Sequence, residues 1–571
     1  MKNLEIAKIF YEIADILEMQ SVEWKPIAYR RAARGIETLS KPIEEIYELG
    51  GLKALEEIPG VGQRLALKIE EFIKTGRVKE YDKLKRSVPS GVEEMMHVPR
   101  MGPKKALLLY KKLGIKSVKD LEAAAKAGKI KNLFRFGAKS EEDILKGIEI
   151  FKTGEERMLL GRALPIAREI AARFETLAEI KKVVVAGSIR RMKDTVKDID
   201  VLVVSPNSAK VMDFFTKMPN VAAVFAKGPT KSSVRLNEGL NSDVRVFDEK
   251  SFGAAMQYFT GSKDHNIRCR QIAIKKGYKL NEYGLFNSKT ERYVCGRTEE
   301  EVYKKLGLRY IEPELRENKG EIEAAMKNQL PKLVGYNDIK GDLQMHTKHS
   351  DGGNTIEEMA KAAMQMGHEY IAITDHSKGE RIAHGMEEKR FLKYLMEIDK
   401  ISRKIKGIHI LKGVEVDILS DGELDFSDKY LSKCDIVVAA VHSRFKSSQA
   451  EMTKRILKAM ENRYVNILAH PTGRLINARA PYEVDLEKIY DAAVANNVWL
   501  EIDSFPTRLD LSDTNIKEAI AHKAKLVIDT DSHSADHLRY MELGIATARR
   551  GWAERKDIIN ALPWKKFEKL I

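Results

Sequence analysis

The chain opens with apolar residues spaced three and four apart. In "MKNLEIAKIFYEIADIL" they form one stripe with acids between, which predicts an amphipathic helix and not a secretion signal. Helical patterns broken by Gly and Pro continue to about residue 150. "LEEIPGVGQRLALKIEEFIKTG" (55–76) sets Pro-Gly-Val-Gly between two helical stretches, and "MHVPRMGPKKALLLYKKLGIKS" (96–117) repeats the layout. From 181 the period falls to two. "KKVVVAG", "DIDVLVV" and "SDVRVF" predict strands mixed with helices as far as 315. The stretch 310–338 is polar and charged, with prolines, and predicts a linker carrying a short helix. Beyond it, seven short apolar runs alternate with helical patterns. That alternation predicts an α/β barrel or a doubly wound sheet.

A length of 571 residues calls for several domains. No apolar run nears the ~18 residues of a membrane span, so none is expected. Three cysteines (Cys269, Cys295, Cys434) at no metal-like spacing fit a reducing compartment. Charge divides the chain. The net +15 comes entirely from residues before 341, whereas 11 of the 13 histidines lie at or beyond 341. A basic front points to a polyanion partner, and a neutral, histidine-rich back points to metal chemistry.

The two glycine turns sharpen the first point. Gly60 and Gly62, then Gly102 followed by Lys104, allow tight turns that leave the next helix's N–H groups free for a phosphate backbone. In "AGSIRRMKDTVKDIDVLVV" (186–204), Asp198 and Asp200 stand two apart in a strand pattern and so share a face. Paired carboxylates repel unless cations lie between them, and two divalent metals suit phosphoryl transfer. Asp243 in "NSDVRVF" is the candidate third ligand. Gly187 and Ser188 follow a strand with N–H groups free for phosphate oxygens, and Arg190 and Arg191 add charge.

In the back part most strand-like runs end in a metal-type residue: His346, His376, Glu415, His442, His470, and Asp531 with His533, while Asp351 follows the first run. Parallel strands closed into a barrel would gather these at one mouth. Mixed histidine and carboxylate ligands suit Zn²⁺, Mn²⁺ or Fe²⁺.

"GSIRR…DIDVLV", "SDVRVF" and "YFTGSKDHNIRCR" (258–270) resemble the X family of DNA polymerases, to which polymerase beta belongs, over residues 1 to about 315. The resemblance implies an α+β nucleotidyltransferase palm with Asp198, Asp200 and Asp243 as catalytic metal ligands. It implies Gly187, Ser188 and Arg191 at the triphosphate, Tyr258, Phe259 and Gly261 at its sugar, Asn266 at the nascent pair and Arg270 on the template. Asn241 stands where the family often has an arginine. "WKPIAYRRAARGIETL" resembles the family's small lyase domain. There Lys25, Tyr29 and Arg64 would bind a 5′ phosphate, and Lys68 falls at the Schiff-base position, though a basic helix facing DNA also explains it. Trp24 suits either stacking on a base or a place in the core.

Residues 341–571 resemble the PHP (polymerase and histidinol phosphatase) domain, a distorted TIM-like barrel of seven strands. Its ligands, for up to three ions, carry over to Gln344, His346, Asp351, His376, Glu415, His442, His470, Asp531 and His533. Gln344 replaces the commoner histidine. His349, His368, His384, His409, His522, His537 and Asp503 match no ligand position.

The expected order is a lyase-like helix-hairpin-helix domain (1–80), a second one (81–150), palm (151–250), nucleotide-selection subdomain (251–315), linker (316–340) and PHP domain (341–571). The expected function is gap filling in base excision repair, with 3′–5′ exonuclease and AP-endonuclease activity in the PHP domain. A phosphatase acting on 3′-phosphate ends or small esters is the alternative for that domain. Mg²⁺ or Mn²⁺ is expected in the palm, and Mn²⁺ or Zn²⁺ in the barrel. Gapped or primer-template DNA and deoxynucleoside triphosphates are the expected partners of a cytoplasmic, nucleoid-associated monomer.

Overall fold

A computed structural model describes the chain except for residues 1, 21, 38–42, 59, 87, 89–91, 93–94, 96–97, 99–100, 102, 132, 134–135, 138–139, 143, 146–147, 149–156 and 381–382. It falls into two units, Met1–Glu156 and Arg157–Ile571. Among the described residues no helix is long and apolar enough to cross a membrane.

The first unit is helical. Helix Lys2–Met19 buries Ile6, Phe10 and Ile13 against helices Lys25–Glu37, Ile43–Glu56 and Gln63–Thr75. Helices Pro103–Leu113 and Val118–Lys126 contribute to a second small core. The first glycine turn is sterically determined. Gly60 has φ 89°, and a Cβ there would meet Arg31 Cγ at 2.7 Å. Gly62 caps helix Gln63–Thr75 with open space around it and no side-chain cap, so the helix's first N–H groups lack a capping side chain.

In the second unit, strands β1 (Met158–Leu159) and β3 (Thr195–Val196) form a two-stranded sheet, separate from a five-stranded one. That sheet runs β2 (Lys182–Val185), β4 (Asp198–Val204), β7 (Asn241–Phe247), β6 (Lys231–Leu236), β5 (Val221–Lys227). Strands β4 and β7 are parallel, with Asp200 opposite Asp243 and Asp198 opposite Asn241. Helices Phe252–Thr260 and Lys263–Lys275 then lead into a small sheet of β8 (Tyr278–Asn281), β9 (Gly284–Asn287) and β10 (Tyr293–Cys295).

The segment read as a linker is not solvated throughout. It carries the turn Pro313–Leu315 and helix Glu321–Met326. Between them Arg316 is fully buried and ion-paired with Glu299.

The C-terminal part contains seven parallel strands in sequential order: β11 (Gly341–Asp342), β12 (Tyr370–Ile373), β13 (His409–Asp417), β14 (Ile436–Ala440), β15 (Ile467–Leu468), β16 (Trp499–Asp503) and β17 (Leu526–Asp529). A bridge from Met345 to Ser532 brings the two edges together, so the sheet is nearly closed. Of the two topologies the pattern allowed, the barrel is the one formed. Strands such as "IVVAA" are buried at every position, as parallel strands covered on both faces must be.

The five-stranded-sheet part and the barrel share apolar packing. Leu509, Leu543 and Ala546 of the barrel part lie in the same buried cluster as Leu160, Ala163 and Val201. The cysteines are unpaired, with Cys269 and Cys295 buried.

Glu299 ties several of these parts together. It accepts from Arg190 at 2.6 and 2.9 Å, from Tyr310 at 3.3 Å and from Arg316. Burial pushes its carboxyl up, but Arg316 and Arg190 outweigh burial and hold it at about 2. Its stabilising contribution is therefore complete above the ordinary value of 4.5 and disappears as pH falls through about 2. Glu299→Gln leaves two guanidinium groups without their shared counter-ion and is expected to cost about 3–5 kcal/mol in denaturant unfolding at neutral pH. The difference from the parent should shrink as the pH is lowered toward 2.

Candidate functional sites

In the palm, the parallel pairing of β4 with β7 brings the three aspartates to neighbouring positions. Burial, then Asp198 and Asp243, raise the Asp200 carboxyl to about 7. Burial and Asp243 also raise Asp198. This is the electrostatic conflict that a divalent cation relieves, so the donors fit such an ion. One Asp243 oxygen already has a side-chain cation, Lys231 Nζ at 2.9 Å.

Gly187 has φ 66°, and a Cβ there would lie 2.9 Å from Asp200 Oδ2, so no larger residue fits without displacing that carboxylate. Ser188 follows in the short helix Gly187–Arg190. Arg190 is committed to Glu299, whereas Arg191 donates to Glu317 at 2.9 Å and to the carbonyl of Thr260. Tyr258 packs edge-on against Phe259, with ring centroids 5.0 Å apart, and Gly261 ends their helix. Asn266 donates to the Tyr258 carbonyl at 2.6 Å and is therefore fixed beside that pair. Arg270 stands one turn along from Asn266 on the same helix face. Arg235 reaches Asn241 Oδ1 at 3.0 Å, so a guanidinium arrives there from strand β6.

In the barrel, Glu415 on β13 is the centre of the cluster. Its Oε2 lies 3.3 Å from both His346 Nε2 and His376 Nδ1. Its Oε1 lies 3.3 Å from His442 Nε2 and 3.4 Å from His470 Nε2. Asp531 approaches His346 Nε2 at 3.1 Å, and Asp351 approaches His533 Nε2 at 3.3 Å. These approaches are close but poorly aligned. Both Glu415 oxygens and both His346 nitrogens are buried without a hydrogen-bond partner, as are both amide atoms of Gln344 and His470 Nδ1. Buried ligand atoms gathered this closely without aligned partners mark a space for cations.

Four sets of ligand atoms gather within 4.8 Å among the described residues, and all lie in the barrel. Three use only expected ligands and overlap through His346, His376 and Glu415; the fourth joins Glu380 and Asp417 to His442. Protonation is uneven across the cluster. Burial lowers His376 to about 4, whereas His442 overcomes burial through Asp417 and Glu415 and rises to about 10.

Several ligands stand beyond their strands and not at the last ladder position. Strand β12 ends at Ile373 and β17 at Asp529, two or more residues before His376, Asp531 and His533. There the chain leaves the ladder to turn side chains into the mouth. His470 (φ 29°) and Asp531 (φ 48°) have left-handed backbone, a strain that is typical of functional positions.

Compared with known proteins, the chain is 37% identical over its whole length to DNA polymerase/3′-5′ exonuclease PolX of Bacillus subtilis (strain 168), covering 99% of that protein. The chain belongs to the X family of DNA polymerases that carry a PHP domain. Family models match in the same order: a helix-hairpin-helix domain (1–78), a SAM-like helix-hairpin-helix tandem (92–149), the DNA polymerase beta thumb (255–317) and the PHP domain (342–504). DNA polymerase lambda of Rattus norvegicus is 26% identical over 55% of the chain and 56% of its own length. A probable phosphatase of Thermoanaerobacter sp. (strain X514) is 34% identical over 34% of the chain and 78% of its own length.

In this polymerase's helical unit, Lys25 and Arg64 are exposed, and Trp24 is 79% exposed. Tyr29 is buried and donates to Glu80 at 3.2 Å. Lys68 is ion-paired with the same Glu80 and would have to leave it to attack a sugar. Gly102 and the side chain of Lys104 lie outside the described residues.

Sequence reasoning missed three PHP residues. Asp417 accepts from His442 Nδ1 at 2.6 Å and orients that ring. The alternation rule that paired Asp198 with Asp200 would also have paired Glu415 with Asp417. Glu380 lies on a loop and gives no such signal. Arg508 Nε lies 3.3 Å from Asp503 and 3.8 Å from Asp531, which places a fixed positive charge beside the cluster. Of the unassigned histidines, His349 is near Glu397, His409 stacks on Trp564 and His522 is near Asp491. His537 Nδ1 accepts from the backbone of His533.

Replacing Glu415 with Ala removes the carboxylate shared by four histidines. Elemental analysis of the purified variant is expected to show loss of transition metal relative to the parent, with primer extension retained.

Proposed function

We propose that the palm extends primer ends in gapped DNA and that the barrel removes nucleotides from 3′ ends. The observation that supports this reading is the presence in one chain of two separate clusters, the three aspartates and the set centred on Glu415. In the palm, Asp198, Asp200 and Asp243 would hold Mg²⁺ or Mn²⁺. Gly187, Ser188 and Arg191 would bind the triphosphate, and Tyr258, Phe259 and Gly261 would line its sugar. Asn266 would meet the nascent pair and Arg270 the template strand.

In the barrel, Gln344, His346, Asp351, His376, Glu415, His442, His470, Asp531 and His533 would hold Mn²⁺ or Zn²⁺. When bound, such ions lower the pKa of water and neutralise phosphate charge. Asp417 keeps His442 oriented with its Nε2 toward the cluster. Arg508 offers its charge to the phosphate diester.

The helix beginning at Gln63, with Lys25 and Arg64 nearby in the same domain, would receive the 5′ phosphate across a short gap. Lys68 would serve as a lyase nucleophile once free of Glu80. These properties suit a monomeric enzyme of base excision repair acting on DNA in the cytoplasm, with incision at abasic sites as a further barrel activity.

A second reading keeps the polymerase and makes the barrel a phosphatase. Its support is the likeness to a probable phosphatase and the near-neutral charge of residues 341–571. A 3′-phosphorylated primer and an unmodified primer separate the two. Release of mononucleotides from the unmodified end supports the exonuclease. Release of inorganic phosphate alone supports the phosphatase.

Asp200→Ala is expected to abolish primer extension and spare 3′ degradation, and His442→Ala to do the reverse. Loss of both activities in either variant would refute the two-site reading. Extension should also fall steeply as salt rises, since the helical hairpins would bind phosphates.

A further inference from the structure

Helix Met541–Arg550 packs on β16, β17 and the turn Pro313–Leu315. Its last residue, Arg550, is almost wholly buried. The Arg550 guanidinium donates to the carbonyl of Arg191 at 2.9 Å, to Glu317 Oε1 at 3.1 Å and to Asp513 Oδ2 at 2.5 Å. The same Glu317 oxygen accepts from Arg191 Nε at 2.9 Å. A residue of the PHP part thus holds Arg191 twice, by its backbone and by the carboxylate that orients its side chain.

We propose that Arg550 is a positioning residue for DNA synthesis: it holds Arg191 in place and shares the charge of Glu317, so that Arg191 remains available to the incoming triphosphate. This rests on the reading of Arg191 as a triphosphate ligand.

The charge arrangement gives the direction of the effect. Glu317 and Asp513 together balance Arg191 and Arg550, with Lys193 near both carboxylates. Lys319 Nζ stands 3.5 Å from Asp513, so Asp513 keeps a second cation nearby. Glu317 faces two guanidinium groups, and each weakens its hold on the other. Without Arg550, more of the charge of Glu317 falls on Arg191, which then competes less well for phosphate oxygens. The backbone of Arg191 also loses a donor, and its loop begins at Gly187, against Asp200. Small displacements at such a loop carry large kinetic penalties.

The test is steady-state extension of a gapped primer by the full-length chain, varying one deoxynucleoside triphosphate, with 3′ degradation and the melting temperature measured alongside. Arg550→Ala is expected to raise the nucleotide KM about tenfold with a smaller change in kcat. The exonuclease rate should stay within about twofold of the parent. Arg550→Lys, which keeps the charge but not the fork, should fall between the two. Adding Glu317→Gln to Arg550→Ala should lower KM again, because it removes the charge that over-holds Arg191. A purely structural role predicts further loss in that double variant.

An unchanged KM in Arg550→Ala, or a parallel fall in exonuclease rate, would overturn the proposal. Arg191→Ala separates the levels of the argument. If it raises KM and Arg550→Ala does not, the positioning role alone is wrong. If Arg191→Ala leaves KM unchanged, the reading of the nucleotide site fails, and the positioning role with it.

Discussion

Everything at the barrel mouth depends on one buried carboxylate. Glu415 faces four histidines within 3.4 Å and forms no aligned hydrogen bond with any of them. A buried carboxylate set among imidazoles without aligned hydrogen bonds is unfavourable unless positive charge, as protons or metal ions, enters the cluster. The rest of the mouth follows from that need. Strands must run parallel so that their ends meet. Asp417 must orient His442, and His470 and Asp531 must accept strained backbone.

The palm solves the same problem with fewer parts. Its carboxylates come from two parallel strands in register, and repulsion among them is visible in the raised Asp200 carboxyl. Glycine is required at position 187 because the chain must pass within contact distance of that aspartate. The barrel adds imidazoles, which suit softer ions, whereas the palm uses oxygen donors alone.

How much of this could be read in advance depended on distance along the chain. The Asp198–Asp200 pair was legible because a strand's two-residue period is local. The ligands beyond the barrel strands were legible only as a series, since each histidine alone is ordinary. Strand ends were misjudged by a few residues where the backbone leaves the ladder to aim a side chain, as before His376 and Asp531. Asp417 was legible in principle and overlooked. Arg508 and Arg550 were not legible. Their significance comes from partners far away in sequence, such as Glu317 and the carbonyl of Arg191, and no periodicity encodes those meetings. The burial of Arg316 inside a stretch that looked like a solvated linker has the same origin: Glu299 waits for it in the fold.

The cluster shared by palm and barrel bears on how the molecule is made. Leu543 and Ala546 lie in it beside Leu160 and Ala163, yet they are made only after all seven barrel strands. At about 5–20 residues per second, the palm waits tens of seconds for its final apolar cover. During that interval the growing chain carries an open apolar face. Among the described residues Ile476 is the first of the barrel part to reach it, Leu509 follows, and the helix carrying Leu543 and Ala546 comes last. The order of synthesis therefore has the palm begun well before the barrel and completed only together with it.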